Sequence, residues 1–267
     1  SEIVQRHRLP NLAATLKTLH MPDSQLTPAE VASLRTRTSS AHRRLTFEHL
    51  LALQLRIAQR RQDWQAREDS LCVMPEAAMR ERLRAILPFE PTGGQWRAVA
   101  EIEEDLAATK PMLRLLQGDV GAGKTAVGFA ACLAVASARG QVAWMVPTEM
   151  LAIQHARTLD SWCRSAGLRL AVLTSRMPVA RRRRIVEQIA SAQIDLVVGT
   201  HALLSEDVAF ARLGLAVIDE QHRFGVAQRA LLRAKGTTPH LLVMTATPIP
   251  RTLALTSYGE LDVSLIR

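Results

Sequence analysis

From Pro91 onward, short apolar runs alternate with amphipathic stretches. The runs at 112–117, 141–146, 169–173, 194–198, 214–218 and 240–245 read as strands. Within two of them, the stretches Leu215-Ala216-Val217-Ile218 and Leu241-Leu242-Val243-Met244 contain no polar residue, as expected of strands buried on both faces. The segments between carry helical periodicity. This alternation predicts an α/β domain over 91–267, a mainly parallel sheet covered by helices on both faces. Residues 1–90 read as helical throughout. Leu12 to Leu19 forms a short helix, Met21-Pro22-Asp23-Ser24 interrupts it, and Thr27-Pro28-Ala29-Glu30 opens another with proline at its first position. A long helix is expected from Ala41 to Ala66, with Leu50, Leu53 and Ile57 near one face, and a further one from Pro75 to Leu87. No repeat or low-complexity tract interrupts the chain.

The chemistry is concentrated where strands end. Gly118-Asp119-Val120-Gly121-Ala122-Gly123-Lys124-Thr125 matches G-x-x-x-x-G-K-[ST] at every fixed position. It follows the strand signal Arg114-Leu115-Leu116-Gln117 and precedes the helical run Ala126-Val127-Gly128-Phe129. In that context loop N–H groups and a helix N-terminus form an anion site. Gly118, Gly121 and Gly123 let backbone approach phosphates, with Ala122 between them. Lys124 can reach the β/γ-phosphates and Thr125 can bind Mg²⁺. Lysine occurs at four positions (17, 110, 124 and 235), against 30 arginines, so its use at 124 points to a need for a compact ammonium.

A second strand, 215–218, ends in Asp219-Glu220-Gln221-His222. Acids at such a strand end sit where open α/β sheets bind ligands. Asp219 is placed to hold Mg²⁺ and Glu220 to orient or deprotonate water. The strand 241–244 leads into Thr245-Ala246-Thr247 and Pro248-Ile249-Pro250-Arg251; its hydroxyls either bond the acidic motif or a phosphate, or simply form a polar turn. Thr92-Gly93-Gly94-Gln95 fits a capping box, which accounts for Gln95 structurally, although its amide could also read an adenine edge. Pro147-Thr148 and Gly199-Thr200 each follow an apolar strand, and suit either plain helix caps or phosphate contacts.

Composition adds bounds. The 267 residues are 48% hydrophobic, enough to bury a sizeable core in one or two domains. The net charge of +9 suits a polyanionic partner. It is shared between +4 in the first 90 residues (14 Lys/Arg, 10 Asp/Glu) and +5 in the remainder (20 and 15). Arg181-Arg182-Arg183-Arg184 precedes Ile185, Val186 and Ile189 and reads as a solvated helix face rather than a dedicated phosphate contact. The arginines of the long helix read the same way. Trp144 and Trp162 read as core. Cys72, Cys132 and Cys163 are widely spaced, so neither a disulfide framework nor a zinc site is expected, and a reducing cytoplasm is the default compartment. No signal peptide or membrane-spanning run is visible.

Taken together, these strings resemble superfamily 2 nucleic-acid helicases. Gly199-Thr200-His201-Ala202-Leu203-Leu204, Val217-Ile218-Asp219-Glu220-Gln221-His222-Arg223-Phe224-Gly225-Val226 and Met244-Thr245-Ala246-Thr247-Pro248-Ile249-Pro250-Arg251 are similar to the RecG family of bacterial branch-migration helicases. Transcription-repair coupling translocases are near relatives, but typically carry glutamate in place of Gln221. The resemblance is strong over 85–267 and weaker over 1–84. It implies a RecA-like first motor lobe preceded by a helical linker, and a cytoplasmic, nucleoid-associated bacterial protein. It also implies that Gln95 and Phe89 recognise adenine and that Gly121 to Thr125 bind the phosphates of ATP with Mg²⁺. Pro147, Thr148, Gly199, Thr200 and His201 would contact the DNA backbone. Gln221, His222, Thr245, Ala246, Thr247 and Arg251 would couple hydrolysis to movement on branched or forked DNA. A second RecA-like lobe and an N-terminal wedge domain are missing from the pattern, and the chain begins at Ser1, so it is expected to be part of a longer protein and inactive alone as a motor. A non-motor nucleotide-responsive module is the alternative from another class; a small-molecule P-loop kinase leaves the Asp-Glu-Gln-His and Thr-Ala-Thr strings without a purpose.

Overall fold

A computed structural model describes residues 2–66, 70–74, 78–219, 238–247 and 261–266. The chain divides into two compact units, Ser1–Arg61 and Gln62–Arg267. In the first, helices α1 (Glu2–Arg6), α2 (Leu12–His20) and α3 (Pro28–Arg35) precede α4 (Ser40–Gln65), which runs past the unit boundary. Asn11 caps α2, and Thr27 with Glu30 forms a capping box at α3, with proline inside the first turn. On α4, Leu50 is 42% exposed while Leu53 and Ile57 are half-buried, so the expected leucine face is only partly covered among the described residues.

Among the described residues, the second unit is built on a seven-stranded sheet: β1 (Leu113–Gly118), β2 (Gln141–Met145), β3 (Leu170–Leu173), β4 (Leu196–Gly199), β5 (Leu213–Asp219), β6 (His240–Thr245) and β7 (Asp262–Ile266). The order is β3-β4-β2-β5-β6-β1-β7, and every pairing is parallel. Helices α5 (Met79–Ile86), α6 (Gly93–Ala107), α7 (Lys124–Ser137), α8 (Glu149–Ala166) and α9 (Val179–Ala190) accompany it. Alternate strand residues feed two cores. Val142, Trp144, Val198, Val217 and Met244 join Ile102, Phe129 and Leu159 of α6, α7 and α8 on one face. Ala143, Met145, Val197, Ile218 and Val243 join Ile185 and Ile189 of α9 with Leu203 and Phe210 on the other. Both faces are therefore covered, which explains why the strand runs lack polar alternation.

The six expected strands form within two residues of their expected bounds, and β7 is an addition. Its Ser264 is buried while Val263 and Leu265 are 45% and 47% exposed, the inverse of the usual alternation. The cause is Arg114 on β1: its guanidinium donates to Ser264 Oγ at 2.8 Å, to Asp105 at 2.6 Å and to Glu101 at 3.1 Å. One cluster thus ties α6, β1 and the edge strand together. The helix expected from Pro75 starts at Met79, with 75–77 outside the described residues. The later start of β4 has a local reason: Asp195 accepts from the Arg169 backbone N–H at 2.8 Å and from its guanidinium at 3.0 Å. Burial would raise the Asp195 pKa, but these donors outweigh it and hold the carboxylate below its ordinary value. Trp144 is fully buried, and Trp162 meets Phe129 edge-on with ring centroids 5.4 Å apart, so both tryptophans are core. No helix of the described residues is long and apolar enough to cross a membrane.

Candidate functional site

Parallel strands present their C-terminal ends together. β1 ends at Gly118 and β5 at Asp219, and β6 alone lies between them. Two strand spacings put those ends about 10 Å apart. In register, Asp219 stands beside Met244, and Thr245 beside Gln117. The loop, the acid and the first threonine therefore share one edge of the sheet.

The loop's form follows from its glycines. Gly121 and Gly123 have φ of +83° and +80°, which other residues rarely adopt. Gly123 is the N-cap of α7, and among the described residues no side chain caps that helix. An anion is the natural partner for such an uncapped helix start. Space is short at position 123 as well: a Cβ there would fall 2.1 Å from Gln95 Nε2, whose amide is held at both ends. Lys124 folds back over the loop, donating to the carbonyls of Gly118 at 2.8 Å and Asp119 at 2.9 Å. Thr125 is half-buried in the first turn of α7, ten of whose residues are buried.

Gln95 serves the loop as well as its own helix. Its Oε1 accepts from the Thr92 N–H at 2.8 Å, completing the capping box of α6, while Nε2 donates to the Ala122 carbonyl at 2.9 Å. Phe89, six residues earlier, is 43% exposed. Trp96, next in the chain to Gln95, has two guanidinium groups over its ring, Arg80 at 5.6 Å and Arg84 at 5.3 Å from the centroid.

Asp219 has a partner that sequence reasoning missed. His155 Nε2 lies 2.8 Å from its Oδ2. Nothing in a single sequence links these two positions; a polar residue on the inner side of an amphipathic helix was the available hint. Asp219 Oδ1 and the Thr125 hydroxyl are hard oxygen donors of the kind Mg²⁺ prefers. At the end of β6 and just past it, the Thr245 and Thr247 hydroxyls lie 2.8 Å apart, and the Thr247 N–H donates to Thr245 Oγ1 at 3.2 Å, so a polar turn does form, through Ala246. Glu220, Gln221, His222 and Arg251 lie outside the described residues.

The two strand-end segments around residues 147 and 200 come together. Pro147, Thr148, Glu149, Ser175, Arg176, Thr200 and His201 line one depression of ≈ 380 Å³. Thr148 caps α8 through the Leu151 N–H at 3.3 Å. Thr200 caps a short 3₁₀ turn, His201–Leu204, rather than an α-helix, and Gly199 ends β4 against the Leu173 carbonyl, 2.4 Å from where a Cβ would sit. His201 Nε2 is 3.4 Å from Ser175 Oγ. A larger cleft of ≈ 880 Å³ lies apart from the phosphate loop, beside α8, β3 and α9, with Arg157, Arg181 and Arg184 on its walls. Arg182 pairs with Asp207 at 2.9 Å and Arg183 with Glu187 at 2.9 Å, so half of the arginine run is engaged in surface ion pairs. The three cysteines are free; burial pushes the Cys163 thiol up to about 12, helped by Asp160 and Asp195, and raises Cys132 also.

The DEAD/DEAH box helicase model matches residues 92–256, the stretch that holds Gln95, the phosphate loop, Asp219 and Thr245. The chain belongs to the DEAD/DEAH box helicase family. That membership implies use of ATP. Among individual proteins the chain is similar to the ATP-dependent DNA helicase RecG of Synechocystis sp., 46% identical over 265 residues, covering 99% of this chain and 31% of that protein. The RecG of Escherichia coli (strain K12) is 46% identical over 259 residues, 96% of this chain and 37% of that protein. A solved RecG bound to a three-way DNA junction superposes with a TM-score of 0.77 at 37% identity, over 100% of this chain and 35% of that one. The helicase MrfA bound to DNA gives 0.55 at 20% identity over 75% of this chain and 31% of that one, a likeness of fold alone. The DEAD/DEAH box fold seen here is thus the RecA-like lobe, with a helical segment before it. The chain spans about a third of the length of the curated relatives it matches.

Proposed function

We propose that this chain is the nucleotide-binding lobe of an ATP-driven DNA motor that remodels branched or forked DNA. One observation carries the reading: the phosphate loop and Asp219 share one sheet edge with a single strand between them. In this assignment Gly118, Gly121, Ala122 and Gly123 cradle phosphates, Lys124 neutralises developing charge, and Thr125 with Asp219 holds Mg²⁺. The metal, when bound, supplies Lewis-acid stabilisation of the phosphoryl oxygens. Glu220, next in the chain to Asp219, orients or deprotonates water. Gln95 and Phe89 face the adenine.

Pro147, Thr148, Gly199, Thr200 and His201 are assigned to the DNA backbone. The depression shared by Pro147, Thr148, Thr200 and His201, and the N–H groups at the start of α8, support that role. Gln221, His222, Thr245, Ala246, Thr247 and Arg251 are assigned to coupling. The partners proposed for the lobe are a second RecA-like lobe, to supply the arginine finger, and a wedge domain of the same protein. A Glu220→Gln change in the intact gene product tests the catalytic assignment. ATP binding should persist while turnover falls below detection; retained turnover defeats the assignment.

A further inference from the structure

Asp219 is held from the side of α8. His155 Nε2 lies 2.8 Å from Asp219 Oδ2, and both side chains are 13% exposed. At that separation Nε2 carries the proton and the carboxylate accepts it. The His155 ring packs against Trp144 with centroids 5.6 Å apart and planes tilted by 42°. Trp144 stands on β2, hydrogen-bonded in the sheet to β5, and is fully buried. It also fills the space above Gly128 of α7, where a Cβ would come 2.8 Å from the indole. Contacts therefore run from the phosphate-loop helix through Trp144 and His155 to Asp219.

We infer that His155 is a positioning residue for Asp219. It occupies Oδ2 and sets the carboxylate rotamer so that Oδ1 is left for the metal of a bound nucleotide. Mg²⁺ demands near-octahedral geometry at short range, so a carboxylate that rotates freely is a poor ligand. Groups that orient a metal's ligands are typically worth 10–100-fold in affinity. His155 also sits seven residues beyond Thr148, about two turns along the same helix. A displacement of α8 at its Thr148 end moves the imidazole at Asp219. The depression at Thr148 and the acid on β5 are thereby joined through one rigid element. This inference rests on the proposed role of Asp219.

The test uses the intact gene product and its His155→Gln, His155→Phe and His155→Asn variants. Gln keeps an N–H near the place of Nε2; Phe keeps the ring against Trp144 without a donor; Asn keeps a donor that is too short to reach. Melting is followed with ADP plus EDTA and with ADP across a Mg²⁺ titration. Wild type and Gln should gain a Mg²⁺-dependent increment at the same half-saturation. In Phe and Asn the ADP shift should be kept, and half-saturation of the Mg²⁺ increment should rise about 10–100-fold. Should Phe fail to fold, the Gln and Asn pair decides. Unchanged half-saturation in the donor-lacking or short variant, with a normal increment in wild type, overturns the His155 role alone. Absence of any Mg²⁺ increment in wild type overturns the metal role of Asp219 and this inference with it.

Discussion

Gln95 and Ala122 are joined by a 2.9 Å hydrogen bond that fastens the start of α6 to the phosphate loop. The same amide completes a helix cap through Thr92. A Gln95→Glu change separates the two functions. Glutamate still accepts from the Thr92 N–H, but sets an oxygen against the Ala122 carbonyl. Stability should fall by about 1–2 kcal/mol, the order of one lost hydrogen bond and a poorly matched acceptor. Nucleotide affinity should fall about tenfold or more. Melting curves with a fluorescent-nucleotide titration measure both; equal affinity in the variant shows that the link does not shape the loop.

Arg114 gives a stability prediction remote from the nucleotide. Its side chain is about nine-tenths buried between Asp105 and Glu101, the latter about half exposed. Burial alone would lower its pKa, but the surrounding carboxylates outweigh that and raise it. An Arg114→Met change leaves Asp105 and Ser264 without their donor. The cost should be about 2–3 kcal/mol, below the range for a fully buried pair because Glu101 reaches water. Denaturant unfolding measures it. A loss under about 0.5 kcal/mol means that the cluster does not hold β7 to the sheet.

His240 sets an acid limit on stability. Its Nδ1 accepts from the Met112 N–H at 2.9 Å and its Nε2 donates to the Leu71 carbonyl at 2.6 Å, so the neutral ring is the one that fits. Burial lowers its pKa below the ordinary 6.5, against the smaller opposing pull of Leu71 and Asp105. The unfolded chain then binds more protons than the folded one in the window below 6.5. The stabilisation from this group is complete above that value and drains away as pH falls toward the depressed folded pKa. Melting temperature should drop between about pH 7 and 5, and His240→Gln should flatten that drop while lowering stability at pH 7. An unaltered pH slope in the variant removes His240 as the cause.

How much of this was readable beforehand depends on which force placed each residue. The strands 215–218 and 241–244 were legible because burial on both faces forbids polar residues there. The Thr92 and Thr27 caps were legible because capping is local chemistry, three residues wide. β7 was not, because Asp262-Val263-Ser264-Leu265-Ile266 buries its serine on Arg114 and exposes two apolar residues at the sheet edge. The link from Gln95 to the loop and the pairing of His155 with Asp219 were equally invisible. Both are side-chain contacts between distant segments, set by packing rather than by pattern. Gln95 also shows that a capping side chain can serve a distant segment, since one amide group reaches both Thr92 and Ala122.

The lobe is proposed to drive a motor on branched DNA. ATP hydrolysis by the intact gene product, compared with forked DNA, linear duplex and no DNA, tests it most directly, with Lys124→Ala as the blank. The account predicts strong stimulation by forks, less by linear duplex, and none in the Lys124→Ala variant. ATP binding with no stimulation by any DNA would contradict it, and would point instead to a nucleotide-responsive module that does not act as a motor.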